Sequence, residues 1–407
     1  MKPLWQANQG VPAGVGAAPG RPAYDATVGT PIILFGAFDR HNFGDLLLAD
    51  VAAASFQDGD LTFAGLVSRD MRAYGGHQVH AIAQLAAESR HQGATLIHVG
   101  GEILTCSAWQ AAVMLLPTDK VKDTVTYLSA RPEERVAWVR MMLGTSALAP
   151  YTLSRHLFPG IGRVVYAGVG GVGLADSDSA MRAEVLANLK EADDVSVRDK
   201  HTLAQLVAAG IEARLIPDPA AKVADLFGER IRRRAQAGKV AETLPAFPQG
   251  YLAVQFSADF GDDRTLSEIA DQLDEVGSEY GWGIVFFRAG AAPWHDDLAT
   301  FERAASHMQT RSTRVFESLD LWDICALIGH CRAYCGSSLH GRIVAKAFAR
   351  PCINLRHPSA VRTSKQVEYA ATWEATNACA VVDIRDISRA IRRAVSLGVY
   401  DSNTGAR

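Results

Sequence analysis

With 407 residues, 48% of them hydrophobic and 21% charged, the chain is long enough for two domains with cores of their own and has the make-up of a folded soluble protein. A net charge of −3, with no basic run longer than Arg232-Arg233-Arg234, excludes an extended nucleic-acid footprint, and that run reads as a solvated helix face. No segment approaches the roughly 18 consecutive apolar residues that would cross a membrane.

Residues 1–30 lack a basic region followed by an apolar one. From Gln9 they are rich in Gly, Ala and Pro, so they are expected to form a flexible leader outside the fold. From Pro31 the chain alternates short apolar strands with helical stretches. Strands are expected over residues 31–36, 61–67, 95–99, 163–167 and 194–197, with a helix over about 45–54 after the first. Residues 117–160 fit this series poorly; 133–142 look helical, and the whole reads as an insertion beside a cleft. Residues 227–249, with the arginine run and Pro245 and Pro248, read as a linker. A second series follows, with strands over 251–256, 283–287, 313–316, 332–335 and 352–355. This alternation predicts an α/β protein of two Rossmann-like domains, residues 31–226 and 250–407, whose parallel sheets face a central cleft.

In such folds ligands bind beyond the carboxyl ends of the strands, so the loops there carry the chemistry. The first contains Asn42, Gly44 and Asp45. Asn42 suits a sugar hydroxyl or a turn, Gly44 allows close backbone approach, and Asp45 suits a helix cap first and a base second. Gly100-Gly101-Glu102 follows the third strand; the glycines are expected to line the cleft, and Glu102 to do so or to cap a helix. Arg198 follows a strand and can clamp an anion or pair with Asp199 or Asp218. Gly168-Val169-Gly170-Gly171-Val172-Gly173 resembles a dinucleotide fingerprint only loosely, which argues against a dehydrogenase, and reads as a tight turn. Ser337-Ser338-Leu339-His340-Gly341-Arg342 places a histidine, with an ordinary pKa of about 6.5, at the start of a helix whose free N–H groups suit phosphate or carboxylate. The six cysteines, Cys106, Cys325, Cys331, Cys335, Cys352 and Cys379, lack paired spacing and read as buried thiols of a reducing compartment. Cys331 and Cys335, about 13 Å apart along a strand, make a poor metal pair, and no metal is expected.

Together these motifs resemble the polysaccharide pyruvyl transferase family. Asn42-Phe43-Gly44-Asp45 is similar to its amino-terminal signature and Gly100-Gly101-Glu102 to its second glycine loop. Ser196-Val197-Arg198-Asp199 with Ile216-Pro217-Asp218-Pro219 is similar to its mid-chain pair. Ser338-Leu339-His340-Gly341, followed by Ala345 and Pro351-Cys352-Ile353, is similar to its carboxyl-terminal motif. The resemblance spans about residues 33–358. It implies a GT-B-like fold with the acceptor on the amino-terminal side and the donor on the carboxyl-terminal side. It also implies transfer of the pyruvyl group of phosphoenolpyruvate to two hydroxyls of a sugar, forming a ketal and releasing phosphate, with no further cofactor. Arg198 would then hold the donor's anionic groups, with Ser338, Leu339 and His340 beside it. His340 would be the acid and Asp45 a base. The family often has Arg where this chain has Ser338, which leaves one donor-binding charge to be supplied by Arg342 or Arg288. The expected partners are phosphoenolpyruvate and a sugar that is lipid-linked, nucleotide-linked or polymeric, in cell-envelope or exopolysaccharide assembly. The expected location is the cytoplasm, at most peripheral to the inner face of the membrane, and a homo-oligomer is left open. The rival readings are a GT-B nucleotide-sugar glycosyltransferase and a sugar-binding relative without catalysis.

Overall fold

The computed structural model describes residues 30–56, 59–88, 91–310, 312–359, 364–375 and 381–404. The expected leader up to residue 29 and Cys379 lie outside the described residues. Ile32-Ile33-Leu34-Phe35 is buried at every position, the mark of a strand covered on both faces rather than on one. It forms β1 (Ile32–Phe35) of an eight-stranded sheet completed by β2 (Leu61–Gly65), β3 (Arg69–Asp70), β4 (Gln78–Ala81), β5 (Thr95–Val99), β6 (Arg163–Val169), β7 (Asp194–Val197) and β8 (Arg214–Leu215). Their order is β3-β4-β2-β1-β5-β6-β7-β8. Only β3, at one edge, runs antiparallel to its neighbour.

The second sheet contains β9 (Tyr251–Gln255), β10 (Gly283–Phe287), β11 (Thr313–Phe316), β12 (Ala333–Gly336), β13 (Cys352–Arg356) and β14 (Val381–Asp383). All are parallel, in the order β11-β10-β9-β12-β13-β14. In each sheet the chain winds outward from a central strand, β1 or β9, then crosses over to continue on its other side at β5 or β12. The loops after β1, β5, β9 and β12 therefore part at the carboxyl ends of the strands, where a ligand crevice forms.

The outer face of each sheet has its own core, the first around Phe35, Leu96, Tyr166 and Val197, the second around Phe256, Leu273, Phe286 and Ile353. The inner faces share one. Leu34, Phe43 and Leu47 of the first domain lie in the same buried cluster as Phe287, Leu327 and Val344 of the second. Helix Phe43–Ala53 packs on the turn Pro219–Lys222 and on helices Leu321–His330 and Leu339–Ala347, so the domains meet through an apolar seam under the cleft.

Several boundaries differ from expectation for local reasons. The first helix starts at Phe43, not Asp45, because Asn42 is its cap. Strand β2 stops at Gly65 because the next two N–H groups, of Leu66 and Val67, donate to Asp39 at 2.7 and 2.9 Å instead of to a neighbouring strand. The stretch read as a linker holds helices Val223–Arg234 and Gly238–Thr243, and Val240 and Phe247 are buried in the shared core. In the arginine run, Arg232 and Arg233 stay on the outer face, whereas Arg234 bridges Asp320 and Asp323 at 3.2 and 2.5 Å. The insertion folds as helices Thr118–Ser129 and Pro132–Leu143, and the second packs on helix Ala108–Met114. Among the described residues, Cys106, Cys325, Cys331, Cys335 and Cys352 are free thiols, and no helix is long and apolar enough to cross a membrane.

Candidate functional site

The loop after β1 is built around its helix cap. Asn42 has extended backbone, and its side-chain oxygen accepts from the N–H groups of Gly44 (3.0 Å) and Asp45 (3.4 Å). That corrects the expectation for Asp45, which sits in the first turn with its carboxylate 3.9 Å from Arg40 Nη2. Arg40 is buried and donates to the Tyr151 hydroxyl at 2.6 Å. Burial works against its charge, but Tyr151, Cys106, Asp45 and Asp39 outweigh it and hold the guanidinium pKa raised. Gly44 has a steric reason. A Cβ there would lie 1.9 Å from His340 Nδ1, because the imidazole of the second domain rests on this backbone.

Arg198, directly after β7, ends in a three-sided ion cluster. Its Nη1 donates to Asp218 at 2.9 Å and its Nη2 to Glu102 at 2.7 Å. Gly170 permits this, since a Cβ there would fall 2.4 Å from the Glu102 carboxylate. Glu102 is therefore not a cap; its second oxygen accepts from the Val172 N–H at 2.7 Å. Asp218 faces His340 Nε2 at 3.7 Å, a charge contact rather than a hydrogen bond. Burial alone would push the Asp218 carboxyl up; His340, Arg198 and the Ala220 N–H outweigh it and hold the group well below the usual carboxylate range. The fork of Arg198 is thus engaged by two carboxylates, so its charge is balanced within the protein.

The helix Leu339–Ala347 opens on Ser338, whose hydroxyl accepts from the Gly341 N–H at 3.2 Å. The N–H groups of Leu339 and His340, first in the helix, have no intrahelical acceptor. The entry is held by Gln255, at the end of β9: its Oε1 accepts from the Ser338 N–H at 2.9 Å and its Nε2 donates to Asp296 at 2.8 Å. The Tyr334 hydroxyl donates to the Ser338 carbonyl at 3.2 Å, and a Cβ on Gly341 would strike that hydroxyl.

Two cavities open between the domains. One, of about 280 Å³, is lined by Arg40, Asn42, Asp45, Glu102, Arg198, Leu339 and His340 among others. The other, of about 320 Å³, is lined by the second domain with Asn42 of the first at its edge. Both are lined by Asn42, His295, Ser338 and Lys365, so they form one cleft. The structure brings together nearly all the residues singled out in the sequence. Gly100 and Gly101 lie in the same loop with positive φ of 46° and 76°, and a Cβ on Gly101 would sit 3.3 Å from Asp45. Two residues stand apart. Arg342 is buried against Glu374 in a two-pronged pair at 2.7 and 2.5 Å and also reaches the Cys352 carbonyl, so it lines neither cavity. Arg288 lies beside the Glu317 carbonyl, again outside both. Neither supplies the missing charge to the cleft.

Sequence reasoning missed the cation that does reach it. Lys365, first residue of helix Lys365–Trp373, has no carboxylate within ion-pair distance among the described residues. It is open to the cleft's solvent yet crowded by both walls, and that desolvation lowers its ammonium pKa. Three cations, Arg40, Arg198 and Lys365, thus line the first cavity against two carboxylates, Asp45 and Glu102. Also missed was the loop after β10, with Trp294, His295 and Asp296. His295 Nδ1 donates to the Pro293 carbonyl at 3.0 Å. Burial and the Arg40 charge push His295 down to about 4, leaving it a neutral acceptor. Burial pushes Asp296 up to about 7, against the N–H donors of Ala289, Gln255 and Gly290. The signal was available: Trp294, His295 and Asp296 stand together in the loop that follows a buried strand, and loops of that kind carry functional side chains.

The polysaccharide pyruvyl transferase family model matches residues 161–359, a stretch that includes Arg198, Asp218, His295 and His340. No curated protein sequence matches the chain. Among solved structures, UDP-GlcNAc 2-epimerase from Neisseria meningitidis bound to UDP-GlcNAc superposes with a TM-score of 0.52 at 9% identity, over 93% of this chain and 94% of that one. UDP-GlcNAc 2-epimerase from Methanocaldococcus jannaschii gives 0.51 at 11% identity, over 90% and 92%. At such identities the likeness is one of fold, and the fold is GT-B-like, as the paired sheets and central cleft require.

Proposed function

With residues 161–359 matching the polysaccharide pyruvyl transferase family, we propose that this protein transfers the pyruvyl group of phosphoenolpyruvate to two hydroxyls of a sugar. The observation that carries this reading is the position of His340. It sits in the first turn of a helix with free N–H groups, pressed between Gly44 and Asp218, inside a cavity where Arg40 and Arg198 face carboxylates and Lys365 adds a positive charge with no direct ion pair among the described residues. A trianionic donor needs positive charge, and a proton donor must stand beside it.

In the proposed chemistry the methylene carbon of the enol gains a proton, leaving a cation-like centre at the carbon that bears carboxylate and phosphate. One sugar hydroxyl adds there and loses its proton. The second hydroxyl then bonds to the same carbon as the bond to phosphate breaks, and the electron pair leaves with phosphate. Of the two hydroxyl protons, one balances that gained by the new methyl group and the other leaves on phosphate. His340 is assigned the acid role and Asp45 the base for a sugar hydroxyl. Lys365 and the N–H groups of Leu339 and His340 are assigned to the donor's phosphate or carboxylate. Arg198 is assigned to holding Asp218 and Glu102 in place while adding its field to the cavity.

The test is calorimetry with phosphoenolpyruvate, with UDP- and GDP-sugars alongside, followed by phosphate release with sugar acceptors. Wild type is expected to bind phosphoenolpyruvate. His340→Asn should retain binding and lose about 10²–10⁴-fold in turnover. A response to a nucleotide sugar with silence toward phosphoenolpyruvate would move the assignment to glycosyl transfer.

A further inference from the structure

The loop after β10 carries a feature that donor binding does not use. Trp294 has φ of 63°, a backbone state in which a bulky residue is strained, and strain of that kind persists where the surroundings impose it. Here they do. The loop is clasped by the first domain: the Phe43 N–H donates to the Ala289 carbonyl at 2.8 Å, and the Ala291 N–H donates to His41 Nδ1 at 3.0 Å. Despite that constraint the indole is not packed away. It stays 46% exposed and lines the 320 Å³ cavity. Its ring meets Trp109 of the first domain nearly edge-on, with centroids 6.4 Å apart, and Trp109 is braced in turn by Trp138 of the insertion at 5.7 Å. An aromatic surface is thus held at the domain seam, beside Asn42, His295 and Ser338, which the donor cavity shares.

We propose that Trp294 is the stacking platform of a subsite for the acceptor sugar, on which one pyranose ring lies. This rests on the reading of the protein as a pyruvyl transferase. The C–H face of a pyranose carries weak positive charge and little polarity, which complements the electron-rich face of an indole. A ring lying there directs its hydroxyls toward polar groups of the same cavity, Asp296, His295 and Asn42. The cavity is at the small end for ligand sites, which fits a single sugar ring rather than a longer stretch of glycan. The subsite draws the second domain into acceptor recognition, where the resemblance had implied the first domain alone. Trp109 and Trp138 give the insertion its part, as the support that keeps the platform rigid.

The experiment is saturation-transfer NMR and affinity titration with methyl β-galactopyranoside, methyl β-glucopyranoside and methyl β-mannopyranoside. Wild type, Trp294→Phe and Trp294→Asn are compared, and phosphoenolpyruvate affinity is measured separately on each. Asparagine tolerates the left-handed backbone, so Trp294→Asn removes the ring without adding strain. At least one glycoside should bind wild type with saturation strongest on one C–H face. It should weaken about tenfold in Trp294→Asn and by much less in Trp294→Phe, with phosphoenolpyruvate affinity unchanged. Glycoside binding that is absent from wild type, or equal in wild type and Trp294→Asn, overturns the subsite. Glycoside binding that depends on Trp294 in a protein that ignores phosphoenolpyruvate would keep the subsite and overturn pyruvyl transfer instead.

Discussion

Replacing Gly44 by alanine separates the site's geometry from its stability. A Cβ at this position would lie 1.9 Å from His340 Nδ1, 2.3 Å from Cγ and 2.7 Å from Cβ, whereas ordinary contact begins at 3.4 Å. The imidazole must therefore retreat by about 1.5 Å, and displacement of a reacting group by about 1 Å can cost about 10²-fold in rate. Overpacking of this kind costs about 1–3 kcal/mol, and the gain from replacing glycine by alanine in a helix offsets about 0.5–1 kcal/mol of it. The expected result is a protein that folds with a net loss of at most about 2.5 kcal/mol and turns over at least about 10²-fold more slowly. Urea unfolding and phosphate release from phosphoenolpyruvate read the two quantities. A thermodynamic cycle isolates the contact. The stability cost of Gly44→Ala should shrink in a His340→Ala background, which removes the two closest atoms, and nearly vanish with His340→Gly, which removes all three. An undiminished cost in His340→Gly, or wild-type turnover in Gly44→Ala, would refute the reasoning.

Lys365→Met should weaken phosphoenolpyruvate binding by about 10–100-fold, the worth of a hydrogen bond to a charged group, with little loss of stability, because among the described residues the ammonium makes no direct ion pair and feels Glu102 and Asp45 only at longer range; calorimetry beside urea unfolding checks both. Arg342→Ala should do the reverse, lowering stability while leaving the donor's contacts in place, by less than the cost of a fully stranded buried charge, about 3–5 kcal/mol, because Lys346 still reaches Glu374 at 3.2 Å, and Arg342→Met with Glu374→Met should recover most of that loss. Burial holds His98 neutral and pushes it down to about 3; its Nε2 accepts from the Leu153 N–H at 3.2 Å. A base with a lowered folded pKa contributes stability that is present above its unfolded value of about 6.5 and lost as pH falls toward 3, by up to about 1.4 kcal/mol per pH unit. Urea titrations from pH 7 to pH 4 should show a steeper decline in wild type than in His98→Phe, and parallel declines would contradict the assignment.

The chain's organisation is legible in the sequence because strands buried on both faces must be locally apolar throughout. Ile32-Ile33-Leu34-Phe35 and Gly283-Ile284-Val285-Phe286-Phe287 need no distant partner to be recognised, and their alternation with helices dictates two parallel sheets. The loops that carry Asn42, Gly101 and His340 follow from the same reading, because the crevice in such folds lies at the strands' carboxyl ends. What each charge does there is a property of the assembled sheets. Arg198 meets Glu102 from 96 residues away because β5, β6 and β7 lie side by side. Arg342, next but one to His340, turns instead to Glu374 beneath the helix, since residues two apart on a helix point to different faces. Lys365 looks unremarkable in sequence and reaches the cleft only because its helix begins there. Gly44 looks like a turn residue until the second domain lays an imidazole across it. Apolar periodicity is written within a few neighbouring residues, whereas the pairing of charges and the contact of one domain with another depend on strand order and domain closure, which no local pattern encodes.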